Sequence, residues 1–74
     1  MTYREEAQKR IKILIDDRGS ATTLSKETGV SKACISLYAT GKAVPSYASA
    51  EKLGAPYRIN PAWIMGLDAE RRRR

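Results

Sequence analysis

Lys32, Ala33, Ser36 and Leu37 lie at spacings that place them on one side of a short helix, with Lys32 at its edge. Lys32 brings three N–H donors, and Ser36 a hydroxyl that donates or accepts. Ala33 and Leu37 bring methyl groups, and Ser31 adds a second hydroxyl just before the helix. This set suits non-covalent reading of a flat surface with polar and methyl-bearing edges, which a DNA major groove presents. Covalent chemistry has little to draw on. The chain has no histidine, one cysteine (Cys34), and serines without an evident base partner. One Cys and no His leave no soft metal site and no disulfide within the chain. Asp16 and Asp17 are adjacent, so on a helix they point in different directions. No enzyme activity and no cofactor are expected.

The elements that position these residues are legible from caps and periodicity. Tyr3, Ala7, Ile11, Leu14 and Ile15 recur at helical spacing from residue 2 or 3 to 18. Thr2 can cap that helix with Glu5 as capping-box partner, and Gly19 can stop it. Ile13 falls off the stripe and is expected to be exposed or part of an interface. Ser20 can cap a second helix over residues 21–28, followed by Gly29, which supplies a left-handed turn. Ser31 can cap a third, over 32–40, with Ile35 and Tyr38 on the face opposite Ala33 and Leu37. Pro45 and Ser46 mark the start of a fourth helix, on which Tyr47, Ala50 and Leu53 are expected to face inward. Gly54 and Pro56 should shorten it. Asn60 followed by Pro61 predicts a short fifth helix over 61–65, anchored by Trp63 and Ile64.

Length and charge bound the rest. Seventy-four residues make one domain. The net charge of +6 favours a polyanionic partner. Four of the fourteen basic residues are the arginines at 71–74, however, leaving ten against eight acidic residues in the rest of the chain. That remainder is thus only mildly basic; residues 1–67 read as the domain and residues 68–74 as a basic, disordered tail. No run is long enough to span a membrane and no signal peptide is visible, so a cytoplasmic protein is expected.

The spacing Leu24, Ser25, Gly29, Val30, Ile35, Tyr38 resembles the helix-turn-helix of the Cro and phage-repressor family, the XRE-like regulators, with the motif at about 21–40. Further matches are Arg10-Ile11-Lys12 with Leu14, Gly41-Lys42 before Pro45-Ser46, and Tyr47, Ala50, Leu53 and Tyr57. Ile59-Asn60-Pro61, Trp63-Ile64 and Gly66 complete a resemblance covering about residues 4–67. Four departures stand beside it. The link Gly19-Ser20 is one residue short. Ala21 replaces a common Gln. Ile15 and Ala39 occupy the positions of a common Arg–Glu pair, a replacement that can be neutral or stabilising. Gly54 and Pro56 interrupt helix four.

The resemblance implies an all-α, compact five-helix lambda-repressor-like domain and a sequence-specific transcriptional regulator that binds double-stranded DNA. The third helix would enter the major groove. Ser31, Lys32, Ala33, Ser36 and Leu37 would then face the bases, and Ala21, Thr22, Lys42 and Ser46 the phosphates. A homodimer on a pseudo-palindromic site follows from the small footprint of one copy, with Ile59, Met65 and Leu67 as candidate contacts. The alternative is a protein-interaction module, such as an antitoxin-type helix-turn-helix partner.

Overall fold

The computed structural model describes residues 2–72. They form an all-α domain whose order is α1 (Tyr3–Arg18), α2 (Ala21–Thr28), α3 (Lys32–Ala39), α4 (Tyr47–Gly54) and α5 (Pro61–Ile64), with a 3-10 turn at Ala55–Tyr57. Each α-helix starts at a side-chain cap that satisfies an amide the helix itself leaves unpaired. Thr2 accepts from the Glu5 amide, Ser20 from Thr23, Ser31 from Cys34, Ser46 from Ser49 and Asn60 from Ala62. α3 ends at Ala39, with Thr40 as its cap, and α5 at Ile64, each one residue earlier than predicted.

α1 is the central element. It packs on α2, α3 and α5, while α4 packs on α5 and α2. Ile11, Leu14, Leu24, Ile35, Leu53 and Ile64 are fully buried at the common centre, and Val30, Tyr38, Ile59 and Trp63 close the core around them. The three neighbours of α1 explain Ile13. It is half-buried against the core, because the helix is covered over more than one stripe. At its first residue, by contrast, Tyr3 is 51% exposed rather than part of the buried stripe.

Tyr47 does not face inward with Ala50 and Leu53. As the first residue of α4, with no preceding turn beneath it, it is 61% exposed. Ile59 is buried, which removes it from the candidate dimer contacts. Its place follows from Gly54. A side chain at Gly54 would collide with the Ile59 carbonyl, so only glycine lets the chain return this closely, and the Ile59 amide donates to the Gly54 carbonyl (3.0 Å).

The segment expected to leave the body as a tail instead runs along it as far as Arg72. The Asn60 amide donates to the Arg71 carbonyl (2.8 Å), and Ile59 and Arg72 form an isolated antiparallel bridge. Arg71 pairs with Asp17 (2.6 Å) and stacks on Trp63, 5.0 Å from the ring centre. Arg10 covers the same indole at 4.9 Å and donates to the carbonyls of Trp63 (2.7 Å) and Asp68 (2.8 Å). Arg73 and Arg74 lie outside the described residues. No helix among those described is long and apolar enough to cross a membrane.

Candidate functional site

The turn between α2 and α3 is built from three residues of α2 and one glycine. Gly29 adopts φ 78° and ψ 4°, a left-handed conformation that other residues adopt at a cost. The Ser25 hydroxyl donates to the Val30 carbonyl (2.7 Å). Thr28 donates to the Leu24 carbonyl (2.7 Å) and accepts from the Val30 amide (3.3 Å). The Ser25 hydroxyl thereby fastens the entry to α3. Val30 and Ile35 fill the angle between the helices, and both are buried.

Burial then divides α3 into two faces. Ile35 is 0% and Tyr38 8% exposed on the side against the body. Lys32, Ala33, Ser36 and Leu37 are all exposed, Leu37 to 43%. An eight-residue helix thus presents a cation, a hydroxyl and two apolar groups together. Ser31 is exposed just before them, but its oxygen accepts from the Cys34 amide (3.2 Å), which leaves its proton as the group to offer outward.

The far end of α3 is held in place by contacts with no sequence signature. Gln8 of α1 donates to the Ala39 carbonyl (3.2 Å), and its amide group sits against Gly41 at φ 79°. Thr40 donates to the Ser36 carbonyl (2.9 Å), and the Lys42 amide to that of Leu37 (3.0 Å). The Lys42 backbone is pinned in this way while its side chain stays exposed. Ile15 and Ala39 are both half-buried against the core. The sequence does not mark Gln8, since a polar residue on a helical stripe carries no local sign of a partner so distant in the chain.

The remaining candidates occupy two further places. Thr22 is exposed and Ala21 half-buried at the start of α2, where the first amides have no acceptor within the helix and Ser20 serves only Thr23. Ser46 is exposed, but its hydroxyl is occupied at the start of α4 by the amide and hydroxyl of Ser49 (both 3.3 Å). The exposed phenol of Tyr47 stands next to it.

Charge sharpens the contrast with the rest of the surface. Residues 28–50 contain Lys32 and Lys42 but no Asp or Glu, so all eight carboxylates lie outside α3 and its flanking turns. The acidic groups are instead engaged or gathered elsewhere. Glu6 pairs with Arg10 (3.3 Å), Asp17 with Arg71, and Glu27 accepts from the Tyr57 hydroxyl (2.5 Å). Burial, followed by that last bond to Glu27, pushes the Tyr57 phenol up to about 12.

No protein-family model, curated protein or solved structure matches the chain.

Proposed function

We propose that this chain is a sequence-specific DNA-binding transcriptional regulator of lambda-repressor-like fold, in which α2 and α3 form a helix-turn-helix and α3 lies in the major groove. The observation that carries the reading is the exposed face of α3: Lys32, Ala33, Ser36 and Leu37 on a helix otherwise anchored by buried Ile35 and Tyr38, in a carboxylate-free stretch. A helix of this width fits the major groove, and its first residues come closest to the bases.

In this reading Lys32 donates to guanine O6 or N7, and Ala33 and Leu37 meet thymine methyls. Ser36 and the Ser31 proton add weaker polar contacts. The free amides of Ala21 and Thr22 bind one phosphate at the positive end of α2, and Lys42 a second. Ser46 contributes less, because its hydroxyl already serves as a cap. Phosphate contacts fix register without reading sequence. Two copies on a pseudo-palindrome extend the short footprint of one, with half-sites about 34 Å apart. With Ile59 buried, Leu67 (62% exposed) and half-buried Met65 remain as contacts between copies.

A protein-interaction role has one observation of its own. Gly66 approaches the Tyr3 carbonyl so closely that a side chain there would collide, which puts exposed Tyr3 and Leu67 near one end of the molecule. This is compatible with either a second copy or another partner.

Paired substitutions separate the roles. Lys32→Ala should change the preferred base at one position of each half-site, at a cost of about 1–3 kcal/mol on the preferred site. Lys42→Ala should weaken all sequences alike and flatten the slope of log K against log salt by about 0.9. An unchanged base preference in Lys32→Ala would remove its base-reading role.

A further inference from the structure

Away from α3 lies a half-open cleft of about 810 Å³, between the end of α1, the turn after α4 and the C-terminal segment. That volume lies within the range of small-molecule sites. Its apolar lining comes from Tyr57 and from the edges of the buried Leu14 and Ile59. Four arginines line it, and they are not equivalent. Arg18 lies over the Tyr57 ring at 4.8 Å, and Arg71 is held by Asp17 and Trp63. The guanidinium groups of Arg58 and Arg72 have no side-chain partner among the described residues.

The carboxylates in the cleft do not cancel this charge. Asp17 is committed to Arg71 at 2.6 Å, and Glu70 accepts from the backbone amide of Arg72 at 3.4 Å. Four arginines thus line the cleft beside two carboxylates.

Arg58 is also the one described non-glycine residue in the left-handed region, at φ 56°. Any residue with a Cβ is strained there, and such strain gathers at functional sites. The backbone is fixed on both sides, by the Arg58 amide to Ala55 (3.4 Å) and the Ile59 amide to Gly54 (3.0 Å). The Arg58 side chain is therefore launched from a determined position.

We propose that this cleft binds a small organic anion, a phosphate monoester or carboxylate joined to an apolar body. Arg58 and Arg72 hold the anionic group by charge-assisted hydrogen bonds. The apolar body sits against the stacked Arg18 and Tyr57 side chains, over the small part of Leu14 and Ile59 that the cleft leaves open. The site does not depend on the DNA reading, since none of its residues lies on α2 or α3. Occupancy would cross-link the C-terminal segment to the turn after α4, because Arg72 and Arg58 lie on these two strands of chain.

The test is an amide-resolved NMR titration of the whole chain with phenyl phosphate, beside inorganic phosphate and a short random DNA duplex. The expected result is saturable shifts at Arg58, Ile59 and Arg72 with phenyl phosphate at millimolar concentration. Inorganic phosphate should bind several-fold more weakly, for want of the apolar body. Arg58→Asn with Arg72→Gln should weaken phenyl phosphate about tenfold or more. The melting temperature should not fall, because Asn tolerates the left-handed region and the Arg72 backbone pairing is untouched. Arg72→Gln alone gives a milder version of the same loss. Linear shifts without saturation, shifts centred on α3, or undiminished affinity in the double variant overturn the proposal. So does a duplex that shifts the cleft amides when phenyl phosphate does not, which would make the arginines a DNA backbone contact.

Discussion

Replacing Arg10 by alanine should destabilise the domain by about 3 kcal/mol, although the residue lies on the least conspicuous polar edge of α1. Its side chain is only 14% exposed. It donates to the Trp63 carbonyl at 2.7 Å and to the Asp68 carbonyl at 2.8 Å, bonds from a charged donor that contribute about 1.5–3 kcal/mol when sheltered. The low end applies here, since the Trp63 carbonyl keeps the Gly66 amide (3.0 Å) and the Asp68 bond is exposed. Stacking on Trp63 adds about 0.5–1 kcal/mol, and the pair with Glu6 about 0.3–0.5. For a domain of this size each kcal/mol moves the melting temperature by about 4–8 °C, so Arg10→Ala should melt roughly 15 °C lower. Arg10→Lys should recover less than half of that, because one ammonium nitrogen cannot take the places of both Nη1 on the two carbonyls and Nε on Glu6, and it does not stack as a plane. Thermal unfolding followed by circular dichroism reads both variants. A melting point for Arg10→Ala within about 2 °C of the parent would refute the clamp, since that is no more than the least the stacking alone should contribute.

Gly29→Ala and Gly66→Ala form a second pair. An added methyl meets nothing at Gly29 but meets the Tyr3 carbonyl at Gly66, so the first should lose only the left-handed strain, about 1–2 kcal/mol, and the second clearly more, by denaturant titration. Tyr57 sets an alkaline limit. An unfolded tyrosine ionises near pH 10 and the folded phenol at about 12, so its stabilising contribution, full below pH 10, is lost as pH rises towards 12. Tyr57→Phe should flatten that arm of the stability–pH curve relative to the parent, and parallel curves would contradict it. Ser25→Ala should weaken the turn by about 1 kcal/mol through loss of the bond to Val30, and should lower DNA affinity only as far as it loosens α3.

The caps were the most legible part of the structure. Thr2, Ser20, Ser31, Ser46 and Asn60 are short-range signals, complete within three residues, and each begins a helix where predicted. The division of α3 into buried Ile35 and Tyr38 and exposed Ala33, Ser36 and Leu37 was legible for the same reason, since angle on a helix follows from spacing alone. Contacts between distant parts of the chain were not. The path of residues 68–72 depends on Arg71 reaching Asp17 and Trp63, and a run of arginines carries no sign of which surface will receive it. Ile59 reads from the sequence as a contact between copies, but the close return that Gly54 admits buries it, and Tyr47 shares a spacing with Ala50 and Leu53 but precedes the first full turn. Gln8, Arg10 and Arg58 each work through a partner or a backbone conformation that their residue types do not announce.

Selection of bound sequences from random double-stranded DNA tests the proposed DNA-binding role most directly. DNA reading by α3 predicts enrichment of a short half-site, repeated in inverted orientation about one helical turn apart, with the half-site changed at one position in Lys32→Ala. No enriched sequence, with no retention on random duplex at low salt, would contradict it.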